Sequence, residues 1–182
     1  MCVTLIDMSA SCESAAGGIA RLFGIQADDV ASIAAVNSTT KKVVPEGLVF
    51  TPTGVMREFD FVKNSEGGKA GIDENDIGTP QSPAYETIVS MAVKGNSAIN
   101  RAYLNEVRQG FRGVLAAVMN SGQIFLIGTP STPAILRKYN RKFGNDLEVA
   151  NVQELEFYFK SATGMVEYAG TVQDLQTVGL ND

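Results

Sequence analysis

The side chains that could do chemistry in this chain are carboxylates. Glu154 and Glu156 stand two apart in a run that alternates Leu155, Phe157 and Phe159 with polar residues, so on a strand they share one face about 7 Å apart at ~3.4 Å rise per residue. Two carboxylates at that spacing are the minimum for general acid–base hydrolysis. The same alternation also has a simpler meaning, because a strand with one buried face must turn polar residues to water on the other. The second acidic group is Asp73, Glu74 and Asp76. Asp73, Asn75 and Gly78 fall on the first, third and sixth positions of a calcium loop, but Ile77 at the fifth and Ala84 at the twelfth offer no side-chain oxygen. That segment reads as a solvated acidic loop. Lys69 after Gly67 and Gly68 is a fragment of a phosphate loop, with Ala70 in place of the metal-binding hydroxyl and Lys63 in place of the first glycine.

Other chemistries are excluded by composition. The chain has no histidine, which removes the commonest general base near neutral pH, the Ser-His-Asp and Cys-His arrangements, and every zinc site that uses imidazole. Its two cysteines, Cys2 and Cys12, do not make a Cys-x-x-Cys redox pair or a four-thiolate zinc site, and read as reduced thiols of a cytosolic product. The sequence therefore predicts no catalytic residue, no cofactor and no metal.

The elements that must position these residues follow from patterning. At 182 residues, with 45% hydrophobic and 19% charged residues, the chain suits one domain over 1–182 able to bury roughly 70% of its unfolded surface. A net charge of −5 opposes general phosphate-backbone binding, although Arg137, Lys138, Arg141 and Lys142 form a local basic patch. No secretory signal or membrane-length apolar run is visible. Residues 1–18 read as an arm of small residues. A strand follows in which Ile19, Phe23 and Ile25 share a face. Residues 30–36 fit helix and strand equally. Residues 48–51 and 55–62 read as a hairpin about a Thr-Pro-Thr-Gly turn. Residues 63–83 are glycine-rich and aperiodic, a long structureless loop of the kind that is functional or disordered.

Beyond that loop the signals sharpen. Tyr85, Thr87, Val89, Met91 and Val93 alternate on one face of a strand. A helix runs from Ser97 to Gln109, with Ile99, Tyr103, Leu104 and Val107 as its apolar stripe and Gly110 as its stop. Residues 114–119 and 123–127 flank Asn120, Ser121 and Gly122, the strongest hairpin signal in the chain, and both strands read as buried on both faces. Residues 135–144 are basic and aromatic, strand or helix. Residues 147–152 and 154–160 read as strands, and about 171–182 as a tail.

The order of polar loop, long strand, helix and tight hairpin, with the hairpin reading from Val114 to Gly128, resembles structural proteins of tailed bacteriophages of Bacteroidetes-type hosts, tail-tube-like proteins above all. Residues Cys12 to Ile25, followed by Asp29 and Val30, resemble the first strand of that group. The basic 135–144 segment departs from its pattern, which leaves tube, terminator and connector open. The resemblance implies an α+β, β-rich fold, an antiparallel β-sandwich or half-barrel with one flanking helix. It implies a virion protein, made in the host cytoplasm, that forms stacked rings, hexameric in the tail-tube pattern, with itself and other tail or connector proteins as partners. DNA would pass without sequence-specific binding, and no membrane is involved. In that frame Lys63, Glu66, Lys69, Asp73, Glu74 and Asp76 are the inter-ring contact loop, and Glu154 and Glu156 line a lumen or solvent face. The competing reading is a monomeric β-barrel that binds a small ligand or carbohydrate. The absence of Trp and the presence of only five Tyr leave few of the aromatic platforms that sugar sites favour.

Overall fold

A computed structural model describes residues 18–59, 70–79, 81–94, 98–142 and 152–177. Eleven strands and two helices are present among them: β1 (Ile19–Gln26), β2 (Val30–Ile33), β3 (Leu48–Phe50), β4 (Arg57–Glu58), β5 (Gly71–Asp76), β6 (Tyr85–Lys94), α1 (Ala98–Arg108), β7 (Arg112–Met119), β8 (Ile124–Ile127), β9 (Ala134–Lys142), β10 (Val152–Ser161), β11 (Val166–Tyr168) and α2 (Val172–Thr177). The fold is β-rich, a large antiparallel sheet with two short helices, in the manner of a sandwich or half-barrel.

The tight hairpin lies at its centre. β7 and β8 pair from Leu115 with Ile127 to Val118 with Ile124, and Gly122 takes the positive φ of 89° that the turn demands. β7 also pairs with β1 along its other edge, from Met119 with Ile19 to Gly113 with Gln26. Beyond β8, the same edge of β7 accepts the start of β9, where Arg112 and Gly113 face Ile135 and Ala134. Strands β8 and β9 are thus one line of chain interrupted by the turn at 128–133, where Thr129 and Thr132 are joined through backbone and hydroxyl. After that corner β9 leaves β7 for β10, giving an outer layer in the order β9-β10-β6-β5. A strand that changes sheets at a bend is a recurrent way to turn a sandwich corner.

Because β7 alternates apolar residues on both faces, it serves two cores. Leu115 and Ala117 face the first, between β1, β7 and the outer layer, which holds Val89, Met91 and Val93 of β6, Leu155, Phe157 and Phe159 of β10, and Leu104 and Val107 of α1. Val114, Ala116 and Val118 face the second, closed by Val30, Leu48 and Phe50 of the small β2–β3 sheet together with Val43, Tyr168 and Leu175. Complete burial of a side chain such as Phe157, 1% exposed, is worth roughly 1.5–3 kcal/mol, and its ring meets Phe111 edge-on at 5.1 Å between centroids.

Several expectations need correction. The 63–83 segment is not structureless: Gly71–Asp76 is a strand paired with β6 through all six of its residues. It lacks an apolar period because an edge strand needs a ladder more than a buried face, and within it Ala70 and Ile72 pack against the core. Residues 48–51 and 55–59, the described part of the expected hairpin, do not pair with each other. The turn exists, with the Gly54 N–H donating to the Thr51 carbonyl at 2.9 Å, but β3 pairs with β2 and β4 pairs with β1. Ile19, Phe23 and Ile25 do not share a face, since an irregularity between Ile19 and Arg21 puts Ile19 with Leu22 in the first core and Phe23 with Ile25 in the second. Residues 30–33 are strand, and the basic aromatic segment is strand β9. The expected tail folds as α2 over 172–177, where a box between Thr171 and Asp174 caps the helix and Leu175 is fully buried. Residues 1–17 of the arm, 60–62 of the expected strand, 63–69 and 80 of the expected loop, Ser97, 143–144 of the basic segment, 147–151, and 178–182 of the expected tail lie outside the described residues.

Candidate functional site

The outer layer carries most of the residues singled out by sequence. β10 sends Leu155, Phe157 and Phe159 inward and Glu154, Glu156 and Tyr158 outward, so the two glutamates do share one face. Glu156 is opposite Lys138 of β9 and Ser90 of β6, and Glu154 is opposite Asn140 and Ala92. The Nε of Arg137 lies 3.7 Å from the Glu156 carboxylate, and the Arg137 guanidinium sits over the ring of Tyr158 at 5.4 Å. Arg137 reaches both because the β9–β10 register shifts between Glu156 and Phe157. The face is therefore charge-balanced across its strands, with Lys160 likewise opposite Glu86. Beside the glutamates is an open depression of about 180 Å³ bordered by Ser90, Ala92 and Lys138. It is a shallow sheet surface with no cover to exclude water.

The acidic residues of β5 divide by alternation. Asp73 and Asn75 pair with Ile88 and Glu86 on the outer face, while Glu74 pairs with Thr87 on the inner one. Extended backbone holds Asp73 and Asn75 in line rather than wrapping them round one point, which is incompatible with the calcium-loop geometry. Glu74 serves the architecture instead, since its Oε2 accepts the Thr87 hydroxyl at 3.2 Å and the Met165 N–H at 2.7 Å. That carboxylate ties the edge strand to the turn joining β10 and β11. A Cβ on Gly164, in that turn with φ 68°, would stand 2.7 Å from Glu74 Oε2, so a side chain there would push the carboxylate away from Met165. Asp76 accepts the Gly78 N–H at 3.0 Å and shapes the β5–β6 turn. Lys63, Glu66 and Lys69, together with Cys2 and Cys12, lie outside the described residues. Among the described residues no three acidic or thiol side chains gather in a metal-binding group, and no helix is long and apolar enough to cross a membrane.

Sequence patterning missed an apolar recess of about 470 Å³ between the end of β2, the 128–132 turn and the end of β10. Its wall includes Ile33, Val36, Val43, Leu126, Phe159 and Val166. Five separate stretches of chain supply them, so no local motif could have shown it. Two of the lining hydroxyls are engaged, Thr129 with Ser131 and the Thr132 N–H, and Ser161 with the Thr163 and Gly164 N–H groups.

The described residues define a β-rich scaffold built on a two-faced central strand, with a charged outer sheet and an apolar recess. No protein-family model matches the chain, and no curated protein or solved structure matches it either.

Proposed function

We propose that this chain is a non-catalytic structural protein of a tailed-phage virion, a tail-tube or head–tail connector subunit that assembles with copies of itself into stacked rings around a path for DNA. The observation that carries the reading is the outer layer β9-β10-β6-β5. Two ten-residue strands form its middle, its outer face is polar and charged, and among the described residues no strand covers the far side of β5. An extended sheet with an open edge is a template for another strand, and self-assembly pairs such an edge. The hairpin that prompted the resemblance is β7–β8, the centre of the fold. In this reading Glu154 and Glu156 face the lumen, where carboxylates offset the neighbouring Arg137 and Lys138 and limit retention of phosphates. Ring order six and contacts with other tail proteins belong to the same proposal.

Negative-stain electron microscopy with light scattering over a concentration series tests it. Rings or tubes with a stain-filled channel are the expected result. A protein that stays monomeric at every concentration defeats it. The apolar recess favours one second reading, a monomeric binder of a small apolar ligand. A monomer whose unfolding temperature rises with an aliphatic ligand, and whose response is lost in Leu126→Arg, would install that reading instead.

A further inference from the structure

The outer layer has two ends, and they carry opposite charge. At one end β5 reads Gly-Ile-Asp-Glu-Asn-Asp, with three acids and no cation. At the other, β9 meets β7 only at Ala134 and Ile135, with one further bond from the Leu136 N–H to the Phe111 carbonyl at 3.3 Å. From 137 to 142 it reads Arg-Lys-Tyr-Asn-Arg-Lys, with four cations and no acid. Along that stretch β10 occupies one side, and among the described residues no strand occupies the other. Helix α1 approaches β9 from the core, with Arg108 over the inward ring of Tyr139 at 5.4 Å.

We propose that the β5 edge of one copy pairs, antiparallel and head to tail, with the 137–142 edge of β9 in the next copy, so that one sheet runs through successive subunits. This rests on the self-assembly reading above and names the surfaces that perform it. Topology favours it. Each neighbouring pair in β9-β10-β6-β5 is antiparallel, so β9 and β5 run in opposite directions. A second copy placed alongside in the same orientation therefore offers its β9 antiparallel to β5, and the ladder continues without inverting a subunit. Charge favours it too. A two-fold pairing of β5 with β5 would oppose acids to acids, and one of β9 with β9 cations to cations, both destabilising across strands. Only the mixed pairing brings unlike charges together. The ladder places Lys138 level with Gly71, through Glu156 and Ser90; sliding the second copy two residues along the strand keeps every side chain on its face and sets Asp73 opposite Lys138 on the outer face, while Glu74 stays committed to Thr87 and Met165. Such a contact uses different surfaces on its two sides. It leaves a β5 edge at one end and a β9 edge at the other, and it closes a ring or extends a filament according to the rotation between copies.

Cross-linking tests the pairing in a background with Cys2→Ser and Cys12→Ser, each variant first shown to keep the wild-type circular dichroism spectrum. Asp73→Cys and Lys138→Cys proteins, mixed and oxidised, are expected to yield a disulfide-linked dimer. The double variant is expected to yield a ladder of multimers, and each single variant alone little product. Lys138→Glu should lower the assembled fraction about tenfold, with recovery when Asp73→Lys is added to the same chain. Wild-type assembly with no ladder from the double variant, or single variants that cross-link to themselves as readily as to each other, overturns this seam while leaving self-assembly standing. A wild-type protein that remains monomeric overturns both.

Discussion

Gly113 lies where β1, β7 and β9 meet, and an alanine there has no space for its methyl group. A Cβ built on Gly113 falls against the carbonyl oxygen of Ile25, 2.9 Å from its carbonyl carbon and 2.7 Å from Cζ of Phe111. The ring of Phe111 is 2% exposed and packed edge-on against Phe157, so it cannot swing aside. Relief requires β1 and β7 to separate locally, weakening the ladder beside Ile25 and Gln26. Overpacking costs about 1–3 kcal/mol, and a buried backbone group deprived of its partner costs about 1–3 kcal/mol more, so Gly113→Ala should destabilise by about 2–6 kcal/mol. Gly71→Ala is the control. Its Cβ meets nothing within 4 Å, and replacing a strand glycine there should be neutral or stabilising by up to about 1 kcal/mol. Because the chain has no Trp, urea unfolding followed by far-ultraviolet circular dichroism is the assay. A Gly113→Ala cost under about 1 kcal/mol, or an equal cost for Gly71→Ala, would refute the argument that this junction sets the spacing of the layers.

Phe157→Ala, which empties the centre of the first core between Phe59 and Phe111, should cost about 3–5 kcal/mol in the same assay. The Tyr168 hydroxyl is pushed up to about 12, by burial first and then by Asp174 and Glu46. The folded state therefore keeps a proton that the unfolded chain releases near pH 10. Its contribution is intact below pH 10 and is lost as pH rises through 12, by at most about 3 kcal/mol. Comparing Tyr168→Phe with wild type from pH 9 to 12 should show a smaller decline in the variant. Thr171→Ala removes the α2 cap and should cost about 1 kcal/mol, read from the urea midpoint. The Thr171 N–H and hydroxyl hold the Asp174 carboxyl below its usual range, so that contribution is present above the ordinary carboxylate pKa and fades as pH falls through the lowered one.

What was legible in the sequence was local. Val89, Met91 and Val93 on one face of β6, the Leu155, Phe157 and Phe159 stripe of β10, the Gly110 stop after α1 and the Asn-Ser-Gly hairpin each carry their signal within about ten residues. What was not legible depended on distant partners. β5 has no apolar alternation, and its strand character comes from the ladder to β6. β3 and β4 flank a genuine turn yet pair with β2 and β1, because the second core draws Leu48 and Phe50 while Phe59 enters the first. The faces of β1 are exchanged at an irregularity that no periodicity announces. Of the candidate residues, the pairing of Glu154 and Glu156 on one face was readable from alternation. The cations opposite them, and the role of Glu74 as an anchor for Met165, required the register.

The arrangement separates the residues that hold the subunit from those that would join subunits. β7 is the hub: its two faces feed both cores and both its edges are paired, so a defect there should remove fold and assembly together. β5 and the end of β9 are the periphery, reached from the hub through β6 and β10, and their outward residues Asp73 and Lys138 contribute to neither core. A surface change such as Asp73→Lys, whose cross-strand neighbour within the subunit is the uncharged Ile88, should therefore leave the unfolding free energy within about 0.5 kcal/mol of wild type while suppressing assembly. Gly113→Ala should move both. If the two variants instead lost stability and assembly in the same proportion, the sheet ends would be part of the folding unit, and the open-edge argument for self-association would lose its basis.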